Sequence, residues 1–288
     1  MKVLGVVGHS DSGKTSLIES LVSQLDGSVA TLKSIHHDID VDEEGKDTYR
    51  HAEAGAETVV GVTPSNSFEI TEARDSDEDA DVSKSRRLSE RLDRLADDGY
   101  DYVLVEGFKT SRLPKVVLGD LNHDVLDGDV VLSADTVSDI DVTEVLDVIK
   151  DAEEYETVGS LVRRAKSHPD SPKAGAVATF TGRVRVENHE DAETTHLKFE
   201  KYEGVADERL DSIRSELKQR DGVYEVLMYH KTGVVEGEED IVHVVVLAGH
   251  RDEAFETVED GINRLKDEVP IFKKEVTESG DYWVHSRP

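Results

Sequence analysis

Short apolar runs alternate with helical patterns in the first half of the chain. Residues 3–7 are apolar and lead into a glycine-rich turn, after which apolar residues recur every three to four positions over residues 17–25, as in an amphipathic helix. A second helical pattern contains Leu88, Leu92 and Leu95. Strands separated by helices are typical of parallel sheets. The pattern therefore predicts an α/β domain with a mainly parallel sheet and helices on both faces. The other strand-like runs are residues 29–32, 59–62, 102–105, 116–118 and 130–132.

The second half of the chain has a different pattern. Helical patterns over about residues 206–219 and 252–269 lie among strand-like runs, which predicts an α+β domain with a mixed or antiparallel sheet. The pattern changes near the charged residues 150–155. We therefore expect two domains, residues 1–150 and 151–288, as the length of 288 residues also favours. The strand-like runs are residues 176–181, 195–199, 223–229 and 241–248.

Acidic residues are spread over the whole chain. With 34 Lys and Arg against 64 Asp and Glu, the formal charge is −30, so nucleic acid and anionic membranes are poor partners. This composition is similar to that of halophilic archaeal proteins, in which salt screens the repulsion. Residues 72–83 are polar and acidic and predict a solvated loop. The absence of cysteine excludes thiolate chemistry. With no signal-peptide pattern and no apolar run long enough to span a bilayer, we expect a cytoplasmic protein.

The turn after the first strand has the spacing of a phosphate-binding loop. The pattern G-x-x-x-x-G-K-T lies between an apolar strand and an amphipathic helix, which is the context this motif requires. Its glycines allow backbone N–H groups to converge on phosphate oxygens at the positive end of a helix. The lysine would neutralise the β and γ phosphates. The predicted nucleotide-binding residues are Gly8, His9, Ser10, Asp11, Ser12, Gly13, Lys14, Thr15 and Ser16.

Magnesium would need oxygen ligands beside this loop. The Thr15 hydroxyl is one candidate, and Glu106, which ends the strand over residues 102–105, is the second, directly or through water. A surface glutamate at a strand end is the alternative interpretation of Glu106. His37 or Asp38, after the second strand, could also contact magnesium or phosphate. A transition-metal site at these residues is the less favoured interpretation.

Basic residues form small groups in the otherwise acidic second half. They flank predicted strands and a helix end that Pro270 should terminate, turning the chain so that Lys273 approaches Lys266. If residues 183–185 are a strand, Arg183 and Arg185 point to one face. Such cations can form a pocket for a phosphate-bearing substrate, or they can simply balance nearby acids. The residues concerned are Arg183, Arg185, His250, Arg251, Lys266, Lys273 and Lys274.

The first half resembles the MobB family. The resemblance covers about residues 1–150 and rests on GHSDSGKTS, IHHDIDVDEEGKDTY, the AGA at residues 54–56, and VEGFK, in that order. These are GTP-binding proteins linked to attachment of GMP to molybdopterin. The resemblance implies GTP and Mg²⁺ as ligands, slow hydrolysis, and assistance to a MobA-like guanylyltransferase. The residues themselves do not distinguish GTP from ATP, and no clear N-K-x-D motif is present.

The second half is similar to MoaE, the catalytic subunit of molybdopterin synthase. The resemblance runs from about residue 155 to the C-terminus and rests on AGAVATFTGRVR, LAGHRDEAF, LKDEVPIFKKE and DYWV. It implies conversion of cyclic pyranopterin monophosphate into molybdopterin. The sulfur would come from the thiocarboxylate of a MoaD-like ubiquitin-fold subunit. It further implies a dimer of this domain.

The resemblance also assigns roles to the basic residues. Lys273 matches the central catalytic lysine, and Lys266 matches its companion. Arg183, Arg185, His250, Arg251, Lys274 and Glu275 match the substrate pocket or flank it. We expect Lys273 to activate the thiocarboxylate carbonyl or to transfer protons, and a covalent adduct is also chemically conceivable. The cations would bind phosphate and the developing negative charge.

Two other functions fit parts of this pattern. The second domain could be a non-catalytic binding module or conjugation target for ubiquitin-like proteins. Alternatively, the chain could be a generic P-loop kinase or GTPase with a regulatory C-terminal domain.

Overall fold

The computed structural model of the chain describes residues 1–37, 39, 41–71, 80–186, 194–202, 204–277 and 280–284. Its contacts divide the chain into two units. The N-terminal unit consists of Lys2–Leu92 and Tyr102–Glu153, and the C-terminal unit of Met1, Asp93–Asp101 and Glu154–Pro288. No pattern in the sequence indicates that residues 93–101 group with the second unit.

The N-terminal unit alternates strands and helices, as the apolar pattern predicts. Two short 3₁₀ helices, His123–Val125 and Val137–Asp139, precede its last helix. The strands and helices are β1 (Lys2–Gly8), α1 (Lys14–Val22), β2 (Val29–Lys33), α2 (Asp47–Glu53), β3 (Thr58–Val62), β4 (Ser67–Thr71), α3 (Ala80–Asp98), β5 (Tyr102–Glu106), β6 (Lys115–Leu118), β7 (Val130–Ala134) and α4 (Val142–Asp151).

A five-stranded sheet in the order β2-β5-β1-β6-β7 is the centre of this unit. All four pairings between these strands are parallel, so the predicted α/β class is confirmed. Helices α1 and α4 pack on one face, where Leu4, Val6 and Leu104 are buried with residues of both helices. The sheet order places the ends of β1 and β5 side by side, and the phosphate-binding pattern follows β1.

Two predictions for this unit are wrong in detail. The run at residues 59–62 is a strand, but it pairs with β4 as a separate antiparallel hairpin. Part of the predicted loop 72–83 is helical, because α3 begins at Ala80 and Ser83 is buried. Residues 72–79 lie outside the described residues. The polar composition of residues 72–83 favoured the loop prediction, although the first turn of α3 is among them.

The C-terminal unit contains helices on antiparallel strands. Strands or helices are present at the predicted runs 176–181, 195–199, 206–219, 223–229, 241–248 and 252–269, whereas the elements at residues 158–166, 233–236, 271–277 and 280–284 were not predicted. The elements are α5 (Val158–Lys166), β8 (Ala176–Arg183), β9 (Thr194–Lys201), α6 (Val205–Lys218), β10 (Val223–His230), β11 (Gly233–Glu236), β12 (Asp240–Ala248), α7 (Arg251–Glu268), β13 (Ile271–Thr277) and β14 (Gly280–Val284).

Two antiparallel sheets, β10-β12-β8 and β11-β9-β13-β14, form this unit. Helices α6 and α7 bury their apolar stripes against the first sheet, with Ile213, Ile262 and Leu265 in its core. The predicted α+β class is therefore confirmed. As predicted, α7 ends just before Pro270, and β13 begins at the next residue.

Among the described residues, no helix combines the length and apolar character needed to cross a bilayer.

Candidate functional site

The phosphate-binding pattern forms the turn between β1 and α1. Gly13 is the N-cap of α1 and has a φ of 91°, a left-handed conformation that favours glycine. A Cβ on Gly13 would lie 2.5 Å from Val137, and one on Gly8 would lie 2.5 Å from the Leu118 carbonyl oxygen. Glycine is therefore required at both positions, because a side chain at either one would collide with residues packed around this turn. The turn ends at the N-terminus of α1.

The lysine of the motif lies over the turn. Lys14 Nζ donates a hydrogen bond to the His9 carbonyl oxygen at 2.5 Å, and His9 Nε2 lies 3.1 Å from the Asp120 carbonyl oxygen. Ser12 Oγ is buried and has no hydrogen-bond partner among the described atoms. A buried hydroxyl without a partner is uncommon, and a phosphate oxygen would supply one. Ser10, Asp11 and Ser16 are exposed on the same turn and first helical residues.

Oxygen ligands suited to magnesium meet beside this turn. Thr15 Oγ1 lies 3.3 Å from Glu106 Oε2, and Glu106 Oε1 pairs with Lys33 Nζ at 2.9 Å. A hydroxyl and a carboxylate at this separation fit the coordination of Mg²⁺, whose remaining ligands are usually water and phosphate. Thr15 and Glu106 would hold the ion, which would neutralise phosphate charge. The two predicted ligands are thus adjacent.

The histidine and aspartate segment after β2 forms no metal cluster among the described residues. His36 and His37 are exposed there, whereas Asp38 and Asp40 lie outside the described residues.

In the C-terminal unit, Lys266 and Lys273 lie near the same hydrophobic core. Lys266 Nζ lies 6.0 Å from the centre of the Phe180 ring, and Phe180 packs against the core that α6 and α7 cover. Ile271 packs against that core too. Lys273 lies two residues after Ile271, so it shares the face of β13 that Ile271 buries. Its cross-strand neighbour on β9 is the buried Phe199.

Arg183 and Arg185 lie on either side of Val184, which belongs to a second hydrophobic cluster. Val184 is 3% exposed and packs with Phe199, while Ile271 borders the same cluster. Strand β8 ends at Arg183, so Arg185 lies beyond the strand and the two arginines do not share a strand. The alternation nevertheless continues, because both arginines are exposed on either side of Val184.

The Arg183 side chain already has polar partners. Its Nε donates to the Glu238 carbonyl oxygen at 3.0 Å and lies 3.3 Å from Asp240 Oδ1. An exposed ion pair of this kind contributes little to stability. A phosphate could therefore replace Asp240 as the partner of Arg183 at little cost in stability.

His250 and Arg251 lie at the other end of the sheet. The register pairs Arg183 with Asp240 and Ala176 with Ala248, and α7 begins just after Ala248 with His250 as its N-cap. Seven residue steps along β8 separate the two ends by about 23 Å. Arg251 is exposed and pairs with Asp252 at 3.1 Å. One copy of the chain therefore does not bring all the predicted cations together.

Lys274 and Glu275 are consecutive residues of β13. Lys274 is opposite Lys198 and shares the face on which Lys198 and Glu200 are exposed. Glu275 is paired with Leu197 in the strand register.

A cavity of about 490 Å³ in the N-terminal unit was missed by the sequence analysis. It lies beside the end of β2, and α3 contributes Lys84, Arg87 and Arg91 to its wall. These residues are spaced i, i+3, i+7 and so share one helix face. That spacing, in a chain of net charge −30, is the signal that could have identified them.

The two units of the chain correspond to two known protein families. A P-loop α/β domain with a Thr–Glu magnesium-type arrangement comes before an α+β domain that has lysines at a core edge. The family model described as "Molybdopterin guanine dinucleotide synthesis protein B" (MobB) matches residues 3–130. The family model described as "MoaE protein" matches residues 150–268.

Two relatives identified by sequence agree with these families. A "Probable molybdopterin synthase" of Haloferax volcanii is 45% identical over 288 residues, which is 100% of both chains. A "Putative molybdopterin-guanine dinucleotide biosynthesis adapter protein" of Methanocaldococcus jannaschii is 37% identical over 122 residues, covering 41% of this chain and 47% of that protein. The crystal structure of a Staphylococcus aureus molybdopterin synthase is 33% identical, covering 40% of this chain and 82% of that one, with a TM-score of 0.38. The chain belongs to the molybdopterin synthase family, in the form in which a MobB domain precedes a MoaE domain, and thus to molybdenum cofactor biosynthesis.

Proposed function

We propose that the C-terminal unit transfers sulfur to cyclic pyranopterin monophosphate to form molybdopterin. The observation that carries this proposal is that Lys266, Lys273 and the two arginines lie beside two adjoining hydrophobic clusters, one bordered by Phe180 and one containing Phe199, and that Ile271 packs against both. The family relationship indicates which substrate this is. In this proposal a MoaD-like small subunit donates the sulfur as a C-terminal thiocarboxylate.

Lys273 is the residue best placed to act on the thiocarboxylate. It lies on the core-facing side of β13, next to Phe199 across the strand pair. An ammonium there can hold or polarise the carbonyl, or move a proton while sulfur attacks the pterin. Lys266 is exposed at the end of α7, where it can bind the substrate phosphate.

A second copy of the chain completes the site in this proposal. In one copy, Arg183 lies at one end of β8 and the start of α7 lies beside the other end, about 23 Å away along the strand, which is too far for His250 and Arg251 to contact the same small substrate as Arg183. In a two-fold dimer, one copy's α7 N-terminus can meet the other copy's Lys273. This arrangement accounts for the otherwise separated cations and agrees with the dimer that the family resemblance implies.

The N-terminal unit binds GTP with Mg²⁺ in this proposal and assists a MobA-like guanylyltransferase. The supporting observations are the glycine-constrained turn, the buried Ser12 hydroxyl and the Thr15–Glu106 pair. A Gly13→Ala variant should lose GTP affinity by at least about tenfold, because its Cβ would strain a positive φ and collide with Val137. Calorimetric titration with GTP tests this, and Gly55→Ala is the matched control, since Gly55 also has a positive φ of 99° but has open space around it. Equal loss in both variants would contradict the role of the turn.

Sulfur transfer is tested with the thiocarboxylated small subunit and cyclic pyranopterin monophosphate. Lys273→Ala should reduce dithiolene formation by at least about a hundredfold, as removal of a general acid or base does. The matched control is Lys198→Ala, an exposed lysine on the opposite face of the same sheet, which should retain activity. Full activity of Lys273→Ala would rule out the proposed role. Small-subunit binding by the wild-type protein without any molybdopterin would instead support the binding-module function.

A further inference from the structure

The cavity beside β2 is basic although the protein is strongly acidic. Its walls include the side chains of Lys33, Lys84, Arg87 and Arg91, and no carboxylate is among the described residues that line it. The apolar part of the wall comes from Leu32, Ile35, Leu88 and Phe108. A cavity of this volume, with an apolar wall and a few converging charges, is typical of a small-molecule site.

Two of the four cations already pair with carboxylates outside the cavity. Lys33 pairs with Glu106 at 2.9 Å, and Arg91 pairs with Glu69 at 3.0 Å. Among the residues that the structure describes, the other two contact neutral groups. Lys84 Nζ lies 3.5 Å from the Ile35 carbonyl oxygen and 5.7 Å from the centre of the Phe108 ring, and Arg87 donates to Ser83. Lys84 and Arg87 therefore provide charge that a ligand can neutralise.

An unusual backbone turn forms the aromatic wall of the cavity. Gly107 and Phe108 both have positive φ, of 88° and 55°, and a Cβ on Gly107 would lie 2.8 Å from Ser34 Cβ. A phenylalanine with this backbone conformation carries strain, which is commonly found at ligand sites. The turn holds the Phe108 ring against Lys84, where the ring can also contact a planar ligand.

The cavity adjoins the phosphate-binding turn through one side chain. Glu106 contacts Thr15 with one carboxylate oxygen and Lys33 with the other, and Lys33 lines the cavity. Glu106 thus links one residue of the phosphate-binding turn to one residue of the cavity wall. The turn after β1 and the cavity are different places, so both can be filled together.

We propose that this cavity binds the phosphomonoester of a planar heteroaromatic small molecule, at the same time as a nucleotide occupies the phosphate-binding turn. Lys84 and Arg87 bind the phosphate with charge-assisted hydrogen bonds, and Phe108 with the neighbouring aliphatic side chains contacts the ring. Only the simultaneous binding rests on the proposed nucleotide function.

The probe for the test is 4-methylumbelliferyl phosphate, and 4-methylumbelliferone is its dephosphorylated counterpart. Titration calorimetry of the full chain at one salt concentration should show saturable binding of the phosphate, at least about tenfold tighter than that of the alcohol. Arg87→Gln should weaken phosphate binding about tenfold, and Lys84→Gln with Arg87→Gln should weaken it further. Arg86→Gln is the matched control, because Arg86 is next in sequence but pairs with Glu90 on the helix surface.

A GTP titration of each variant separates the two sites. Unchanged GTP affinity in the double variant shows that the unit is folded, and unchanged phosphate affinity in Lys14→Ala shows that the cavity acts without the nucleotide. The proposal is overturned if the phosphate probe does not saturate, if the double variant binds it as the wild type does, or if GTP displaces it. If the wild-type chain binds the phosphate probe but does not bind GTP, the proposed nucleotide function is refuted and binding of the phosphate in the cavity still holds.

Discussion

At the scale of single residues, the buried Lys115 shows how one charge can be held inside the α/β unit. Lys115 begins β6 and is 0% exposed. Its ammonium donates to the Leu113 carbonyl oxygen at 3.0 Å and to those of Ser111 and Asp127. Burial lowers the pKa of Lys115 to about 8, although Asp127 and Asp129 oppose the shift. The carbonyls satisfy the donors, so the lysine is tolerated without a nearby ion pair of its own.

The lowered pKa predicts how stability changes with pH. The unfolded chain holds the Lys115 proton up to about pH 10.5, whereas the folded chain releases it near pH 8. Between these values the unfolded state binds more protons, so the free energy of unfolding should rise with pH, by up to about 3 kcal/mol. Below pH 8 this contribution is absent.

The measurement compares unfolding of the wild type and Lys115→Met across that range. Other groups titrate equally in both proteins, so the difference in free energy isolates Lys115. A difference that stays constant from about pH 8 to about pH 10.5 would contradict the assignment.

Some residues could be interpreted from sequence and others could not. The residues of the phosphate-binding turn are contiguous, so local spacing was enough to predict them. Lys273 and Lys274 look equivalent in sequence, and only the pairing of β13 with β9 assigns them to opposite faces. The cavity residues come from β2, α3 and the turn after β5, which no local pattern brings together.

At the scale of elements, one glycine of α7 leaves room for close packing against β12 and α6. Gly261 is buried, and a Cβ there would lie 3.1 Å from Val244 on β12 and 3.5 Å from Leu217 on α6. Glycine within a helix costs about 1 kcal/mol relative to alanine. Close packing of three elements offsets that cost.

Gly261→Leu should therefore destabilise the C-terminal unit by about 2–3 kcal/mol, because the larger side chain overpacks the contact with β12 and α6. Equilibrium denaturation measures the loss. The control is Asn263→Leu on the exposed side of the same helix, which should change stability by no more than about 0.5 kcal/mol. Equal effects of the two substitutions would show that Gly261 does not set the helix position.

The helical pattern of α7 shows how much of an element's packing can be predicted from the sequence. The stripe of Val258, Ile262, Leu265 and Val269 is buried as predicted, yet Phe255 on the same stripe is 65% exposed. Periodicity gives the side of a helix that faces the core, but it does not show how far along the helix the core extends. The β3–β4 hairpin was misassigned for a similar reason, since strand pattern does not identify a strand's partner.

At the scale of the whole molecule, the proposed synthase site requires two copies of the chain. The register of β8 with β12 fixes Arg183 and Arg251 at opposite ends of one sheet. No change of side-chain rotamer can close a separation of about 23 Å. The sequence could suggest the cations but not this division, because strand direction and register are properties of the folded sheet.

A mixture of two inactive variants tests whether the site is shared between two copies of the chain. Lys273→Ala and Arg251→Ala should each abolish molybdopterin formation alone. In a mixed dimer, one site carries both substitutions and the other carries neither. Coexpressed variants should therefore recover about a quarter of the wild-type activity. Recovery to that level supports a site shared between copies, whereas a mixture as inactive as either parent, or an active Arg251→Ala parent, would contradict it.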